Sequence, residues 1–299
     1  MKSPRPPARK HSRNTSNRGT PRSGSDGGGG GASAGRSRPK RKGGNRSSRS
    51  GAGSGDSLLL YGLHTVRAAL NNPDRRIEEL YVTENGLDRL GQIAPHRKAL
   101  PVSLRSGQAL DQLVGGEAVH QGVVAKCLPL DMLDASELFH LAEAKLVLVL
   151  DQITDPHNAG AILRSASALG ADAVLTTSRN SVHETAVLAK SACGALDTIR
   201  LIELRNLSKG LQELNDMGFY SIGLDSEGPL VLEETLASSG ADSIVLVLGS
   251  ENKGLRQMTR ETCKALARLD MPGPIKSLNV SNAATLSLYA VANHLRPRS

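Results

Sequence analysis

The chain has no tryptophan, two phenylalanines and four tyrosines in 299 residues. A surface on which successive bases of a single strand stack needs several exposed rings, so that mode of nucleic-acid binding is excluded. Cysteine is nearly as scarce. Cys127, Cys193 and Cys263 are odd in number, widely spaced and form no C-x-x-C pair. That excludes a disulfide framework and a cysteine-built zinc site, and fits a reducing cytoplasm. The apolar runs at 146–150 and 244–248 fall far short of the ~20 residues a membrane span needs, so no membrane partner is expected. The first residues are basic but lack the apolar stretch of a secretory signal, and the glycine run at 27–31 offers no amphipathic transit helix. Two nucleotide fingerprints are missing as well. No G-x-G-x-x-G follows a strand near the start of the second half, which counts against a dinucleotide fold, a methyltransferase of that fold, or an NAD-type dehydrogenase. Gly249 to Gly254 is G-x-x-x-x-G, but Leu255 and Arg256 follow it where a phosphate-binding loop needs Lys and Ser/Thr.

Charge is present, and it is unevenly placed. Residues 1–56 hold 14 of the 37 Lys/Arg but 2 of the 29 Asp/Glu, a net of +12, so residues 57–299 carry a net of −4. The high isoelectric point therefore belongs to a Gly/Ser/Arg-rich tail with too few apolar side chains to offset its ordering entropy. Such an arm is expected to be disordered and to bind polyanions with a strong salt dependence; a solubilising tail is the plainer reading of the same composition.

From residue 57 to about 132 helical and extended patterns alternate. Helical spacing covers 63–70, 87–94 and 108–114, and strand-like runs cover 77–82, 102–104 and 122–128. This reads as a first, small α/β domain. His120, in the loop before its last strand, reads as a packing or surface residue. Residues 133–144 form a short helical linker, and a second domain runs from 145 to 299. Its strands are expected at 146–150, 173–176, 198–201, 220–224, 243–248 and 267–269. Its helices are expected at 159–169, 182–193, 207–217, 255–264 and 283–295, with Gly170 and Gly218 at helix C-termini, where a left-handed conformation suits glycine. Regular βα alternation argues for a parallel sheet covered by helices.

Three polar loops follow strand-like runs, where ligands bind in such sheets. The first, from Asp155, reads as opening a helix at Asn158 and Gly160, with Arg164 in N-x-G-x-x-x-R spacing: an anion-friendly helix start plus a guanidinium able to grip a phosphate at two points. The plain alternative is an N-cap Asn and a solvated Arg. The second spans Gly249 to Gly254. Gly249 permits close backbone approach and Gly254 an unusual φ, while Glu251 either binds polar groups or simply favours the following helix. The third, Ser277-Leu278-Asn279-Val280-Ser281-Asn282-Ala283, reads with Ser281 as the cap of the last helix and Asn279 as an amide that needs partners if buried.

Taken together, Asn158 to Arg164, Leu248 to Gly254 and Met271 to Ala283 resemble the three signature motifs of the SpoU (TrmH) family of RNA ribose 2′-O-methyltransferases, and their order and spacing make the likeness specific. The likeness covers about residues 58–299; Tyr61-Gly62-Leu63-His64-Thr65-Val66 matches the usual opening of the family's N-terminal RNA-binding domain. One departure is Asn252, where the family usually has Gly; Asn is the non-glycine residue that best tolerates left-handed φ.

The resemblance implies a SPOUT α/β fold whose C-terminal segment is threaded as a trefoil knot. It further implies S-adenosylmethionine bound around Gly249, Leu269 and Leu278, which by themselves read as loop glycine and core leucines, and a homodimer. No metal is implied. Arg164, from the same or the opposite subunit, would act on the 2′-hydroxyl and its neighbouring phosphate, with Asn158, Glu251, Ser277 and Asn279 holding substrate, methyl donor and Arg164 in place. The subgroup it resembles methylates a guanosine ribose in 23S rRNA. A tRNA target is the alternative within the same chemistry, and a non-catalytic RNA-binding ribosome-assembly factor the alternative outside it.

Overall fold

A computed structural model describes residues 57–178, 183–251 and 253–296. The basic tail, the first residue of the helix expected at 182–193, and Asn252 lie outside the described residues. The described chain builds two sheets. The first has four strands, β1 (Leu58–Tyr61), β2 (Ile77–Val82), β3 (Val102–Leu104) and β4 (Val123–Cys127), in the order β1-β4-β2-β3. β4 runs antiparallel to β1 and β2, and β2 parallel to β3. Helices α1 (Leu63–Asn71), α2 (Glu84–Leu90) and α3 (Gly107–Val114) connect them. α2 begins three residues before the expected 87, because the Thr83 side chain caps it by accepting from Gly86 N, and it stops at Gly91, whose φ is 76°. β1 was not apparent as a strand, since its pairing partner lies far away, with Leu58 opposite Cys127. His120 bridges the Asp111 carboxylate at 3.1 Å and accepts from Gly122 N at 3.0 Å, which gives it a local packing role.

A 3₁₀ segment, Ala135–Leu141, leads to a seven-stranded sheet. Its strands are β5 (Leu146–Asp151), β6 (Ala173–Thr177), β7 (Arg200–Leu204), β8 (Tyr220–Leu224), β9 (Leu230–Val231), β10 (Ile244–Gly249) and β11 (Ala265–Arg268). They are ordered β7-β6-β5-β10-β8-β11-β9, and every pairing is parallel. The covering helices are α4 (Pro156–Ala168), α5 (Ala186–Ala192), α6 (Leu207–Asp216), α7 (Leu232–Ser239), α8 (Gln257–Thr262) and α9 (Val280–Leu295). Side-chain alternation in the two central strands sorts the core. Leu146, Leu148 and Leu150 of β5, with Ile244, Leu246 and Leu248 of β10, meet α4 and α9 on one face. The valines between them, Val147, Val149, Val245 and Val247, meet Leu211, Leu214 and Phe219 on the other. Both faces are buried, as continuous apolar strands in parallel sheets require. Gly170 and Gly218 take φ of 77° and 100° after α4 and α6.

Among the described residues no helix is long and apolar enough to cross a membrane.

Candidate active site at the switch in strand order

Chain order reverses between β5 and β10, since the path goes outward from β5 through β6 and β7 and returns on the other side. Loops at the strand C-termini open a crevice at such a point. Gly249 pairs with Asp151, which brings the loop after β10 beside the loop after β5.

α4 starts earlier than the sequence pattern suggested. Asp155 caps it, accepting from His157 N at 3.1 Å, and Pro156 occupies the first turn. Asn158 is therefore the third helical residue and not the cap. Gly160, expected to leave helix N–H groups free for an anion, instead lies inside the helix: a Cβ there would stand 2.4 Å from Ser191 Cβ and 2.8 Å from Leu188 O, so it is the point where α5 presses on α4. Gly249 has a comparable role. The space its Cβ would take is filled by the Gly254 backbone at 2.2 Å, where the loop folds back with Ser250 N and Gly254 N each donating to the other's carbonyl. Gly254 has φ 64°.

Three side chains from the three loops meet. Glu251 Oε1 accepts from Asn158 Nδ2 at 2.8 Å, from Asn279 Nδ2 at 2.8 Å and from Val280 N at 3.4 Å. Asn279 Nδ2 also donates to Asn158 Oδ1 at 3.1 Å, closing a ring of hydrogen bonds. The cap of α9 is Asn279, not Ser281: Asn279 Oδ1 accepts from Ser281 N at 2.9 Å and from Ser281 Oγ at 2.6 Å, and Ser281 is already helical. Glu251 thus sits at the N-terminus of α9, where unpaired N–H groups and the helix dipole favour an anion. Among the described residues its Oε2 has no partner and remains open to a ligand.

The support beneath this ring has no signature in the sequence. Asp151, fully buried at the end of β5, lies 2.6 Å from Arg256 Nε and accepts from Arg256 N at 3.1 Å. The first contact is a close ion pair and not a well-aligned hydrogen bond. It ties the loop bearing Glu251 to β5. Gln152, the next residue, takes φ 63° to turn the chain away.

Beside the ring is a cleft of about 460 Å³ walled by the loops after β8, β10 and β11, a size within the ~300–1,000 Å³ usual for small-molecule sites. Gly249, Leu269, Ser277 and Leu278 line it, with Lys253 and Lys276. Leu278 is 42 % exposed, so it faces the cleft and not a core. Among the described residues, backbone groups of 269–278 make no hydrogen bonds to other backbone. Met271 O accepts from Lys276 Nζ at 2.5 Å. An apolar wall fringed by N–H and C=O groups without backbone partners suits a ligand with a flat heterocycle and a polar edge. Across the cleft mouth Arg260 pairs with Asp225.

Arg164 does not join the ring. It is exposed on α4, two turns from His157 on the same stripe, and makes no hydrogen bond or ion pair with any described residue. The next position, Ser165, faces α9 through Thr285 Oγ1 at 2.8 Å.

Residues 145–289 match the profile of the SpoU rRNA Methylase family, and residues 59–133 match the profile described as RNA 2'-O ribose methyltransferase substrate binding. Among curated relatives, the 23S rRNA (guanosine-2'-O-)-methyltransferase RlmB of Pseudomonas aeruginosa is 38% identical over 245 residues, covering 80% of this chain and 97% of its own. The RlmB of Coxiella burnetii is 39% identical over 239 residues, covering 78% and 94%. Among solved structures, the AdoMet-bound rRNA methyltransferase of Sinorhizobium meliloti aligns with TM-score 0.65 at 20% identity over 81% of this chain and 88% of its own. The SpoU methyltransferase AviRb of Streptomyces viridochromogenes, in complex with AdoMet, aligns with TM-score 0.63 at 21% identity over 79% and 89%.

Proposed function

Because the chain belongs to the SpoU rRNA Methylase family, we propose that it transfers a methyl group from S-adenosylmethionine to the ribose 2′-oxygen of a guanosine in 23S rRNA. The observation that carries this reading is the hydrogen-bonded ring of Asn158, Glu251 and Asn279 at the edge of the cleft. The residues present fit the methyl donor: Leu269 and Leu278 offer apolar walls, and the backbone of 269–278, which makes no bonds to other backbone among the described residues, offers donors and acceptors for an adenine edge. In the same reading that segment is threaded as the family's trefoil knot.

When bound, S-adenosylmethionine supplies an electrophilic methyl group on a sulfonium. The chain's task is to present a ribose hydroxyl in line with it, since a hydroxyl is a weak nucleophile until its proton leaves. The open Oε2 of Glu251 is placed to orient a polar group of substrate or donor, and the Asn158 and Asn279 amides fix Glu251 so that no reorganisation is needed during transfer. Ser277, on the cleft wall, adds a hydroxyl. A guanidinium keeps its proton in proteins. Arg164 therefore serves by gripping the neighbouring phosphate and stabilising the developing alkoxide, while a phosphate oxygen or water takes the proton. That Arg164 makes no bond to the ring of its own chain among the described residues accords with a homodimer in which a second copy supplies Arg164. The outer face of α9, with Leu286 and Tyr289 52% and 57% exposed, offers an apolar surface for that copy. The basic tail would add sequence-independent affinity for RNA, and the place of action is the cytoplasm, where rRNA is assembled.

The test is methyl transfer from labelled S-adenosylmethionine to unmodified 23S rRNA and bulk tRNA in parallel. Label in 23S rRNA supports the reading. Label in tRNA alone overturns the substrate. RNA binding without label in either would make the chain a binding factor.

A further inference from the structure

The substrate-binding domain is held to the methyltransferase domain by more than its linker. Arg75, in the turn between α1 and β2, is fully buried. Its guanidinium forks onto Asp197, with Nε to Oδ1 at 2.8 Å and Nη2 to Oδ2 at 3.1 Å. Its Nη1 donates to Glu184 Oε1 at 2.7 Å and to Leu128 O at 3.2 Å. The acids belong to the other domain: Glu184 precedes α5, and Asp197 ends the 3₁₀ turn Ala195–Asp197. The remaining acceptors are also used. Asn72 Nδ2 donates to Asp197 Oδ1 at 3.1 Å, and Leu130 N, near the end of the first domain, donates to Glu184 Oε2 at 2.7 Å. Arg97 Nη2 donates to the carbonyls of Asn72 and Arg75 at 2.5 and 2.6 Å, so the turn presenting Arg75 is itself fixed. A second contact lies along α5, where Lys190 Nζ donates to Val119 O at 3.0 Å and stands 5.4 Å from the Tyr61 ring.

A buried ion pair contributes little net stability compared with an apolar contact of the same size, because desolvation offsets attraction. A two-point guanidinium–carboxylate fork is, however, strongly selective for one orientation. The continuation of the path reaches the candidate site. α5 presses on α4 at Gly160, and α4 carries Asn158.

We propose that Arg75 is a positioning residue for methyl transfer: its fork onto Asp197 and Glu184 fixes the substrate-binding domain on the methyltransferase domain of the same chain, so that RNA held by one is presented at a set distance from the Asn158–Glu251–Asn279 ring. This rests on the methyltransferase reading above.

The experiment uses the full chain with spin labels at the exposed Gln112 on α3 and Glu233 on α7, attached by chemistry orthogonal to the three thiols. Labelled chain is diluted with unlabelled chain so that only distances within one chain are read. The unsubstituted protein should give one narrow distance distribution. In Arg75→Met/Glu184→Gln/Asp197→Asn, which removes the charges together and leaves none stranded, the distribution should broaden. The same variant should keep its affinity for S-adenosylmethionine and lose about 100-fold in kcat/KM for RNA, the scale of a small misplacement of reacting groups. Arg75→Lys, keeping the charge but not the fork, should fall between. A broad distribution in the unsubstituted protein, or an unchanged narrow one with unchanged kcat/KM in the triple variant, would overturn the proposal. If the unsubstituted protein methylates no RNA, the methyltransferase reading falls instead, and the distance measurement still decides whether Arg75 fixes the domains.

Discussion

Asn279 uses both ends of one amide. Its oxygen caps α9, and its nitrogen holds Asn158 and Glu251. Two substitutions separate these roles. Asn279→Ala removes both and should cost about 1 kcal/mol of stability in urea unfolding, as loss of a cap does, together with most of the methyl-transfer rate. Asn279→Asp retains a cap of equal quality but sets a carboxylate against Glu251 in place of a donor. It should unfold close to the unsubstituted midpoint at high salt and still transfer methyl groups poorly. Full activity in the Asp variant would show that the nitrogen's bonds are dispensable. Cysteine gives a second prediction at this scale. Burial pushes the Cys127 and Cys263 thiols up to about 12 from 9.0. A thiol whose folded pKa is raised lends stability that is fully present below the unfolded value and is lost as pH rises through the folded one. Thermal stability should therefore decline between pH 9 and 12 more steeply in the unsubstituted protein than in Cys127→Ala/Cys263→Ala. Parallel declines would contradict this.

At the scale of elements, Gly160 sets propensity against packing. In an exposed helix, Gly→Ala gains about 1 kcal/mol. Here the new methyl meets Ser191 Cβ and the α5 backbone, and overpacking costs about 1–3 kcal/mol. Gly160→Ala should lower the unfolding free energy, and a rise would mean that α4 and α5 do not press together there. The same contrast explains what could be read from sequence. β5 and β10 announce themselves, because strands buried on both faces are continuous apolar runs. α7 does not: Val231 caps it without a side-chain bond, and only Glu233 and Glu234 mark its first turn. The start of α4 carries a signal, Asp155 followed by Pro156, the usual cap and first-turn pair, yet the apolar spacing begins three residues further on. The three polar loops were visible as a group. Their closure into one ring was not, because Asn158 lies 93 residues from Glu251 and 121 from Asn279, a separation that only the strand order resolves. Asp151 and Arg256 gave no sign at all, since an acid ending an apolar strand reads as its boundary.

For the whole molecule, charge is divided between a net +12 over residues 1–56 and a net −4 beyond them. Deleting residues 1–56 should weaken RNA binding chiefly at low salt and reduce the slope of log affinity against log salt, while S-adenosylmethionine affinity stays the same. An unchanged slope would leave the tail without a role in RNA binding.

The position at which the methyl group arrives decides whether the ring of Asn158, Glu251 and Asn279 is a transfer site. Unmodified 23S rRNA would be treated with the full chain and S-adenosylmethionine, digested to nucleosides and analysed by mass spectrometry beside the same reaction with Asn279→Ala. The prediction is 2′-O-methylguanosine from the unsubstituted protein and almost none from the variant. A methyl group on a base, or equal 2′-O-methylguanosine from both, would contradict a transfer site built on Asn158, Glu251 and Asn279.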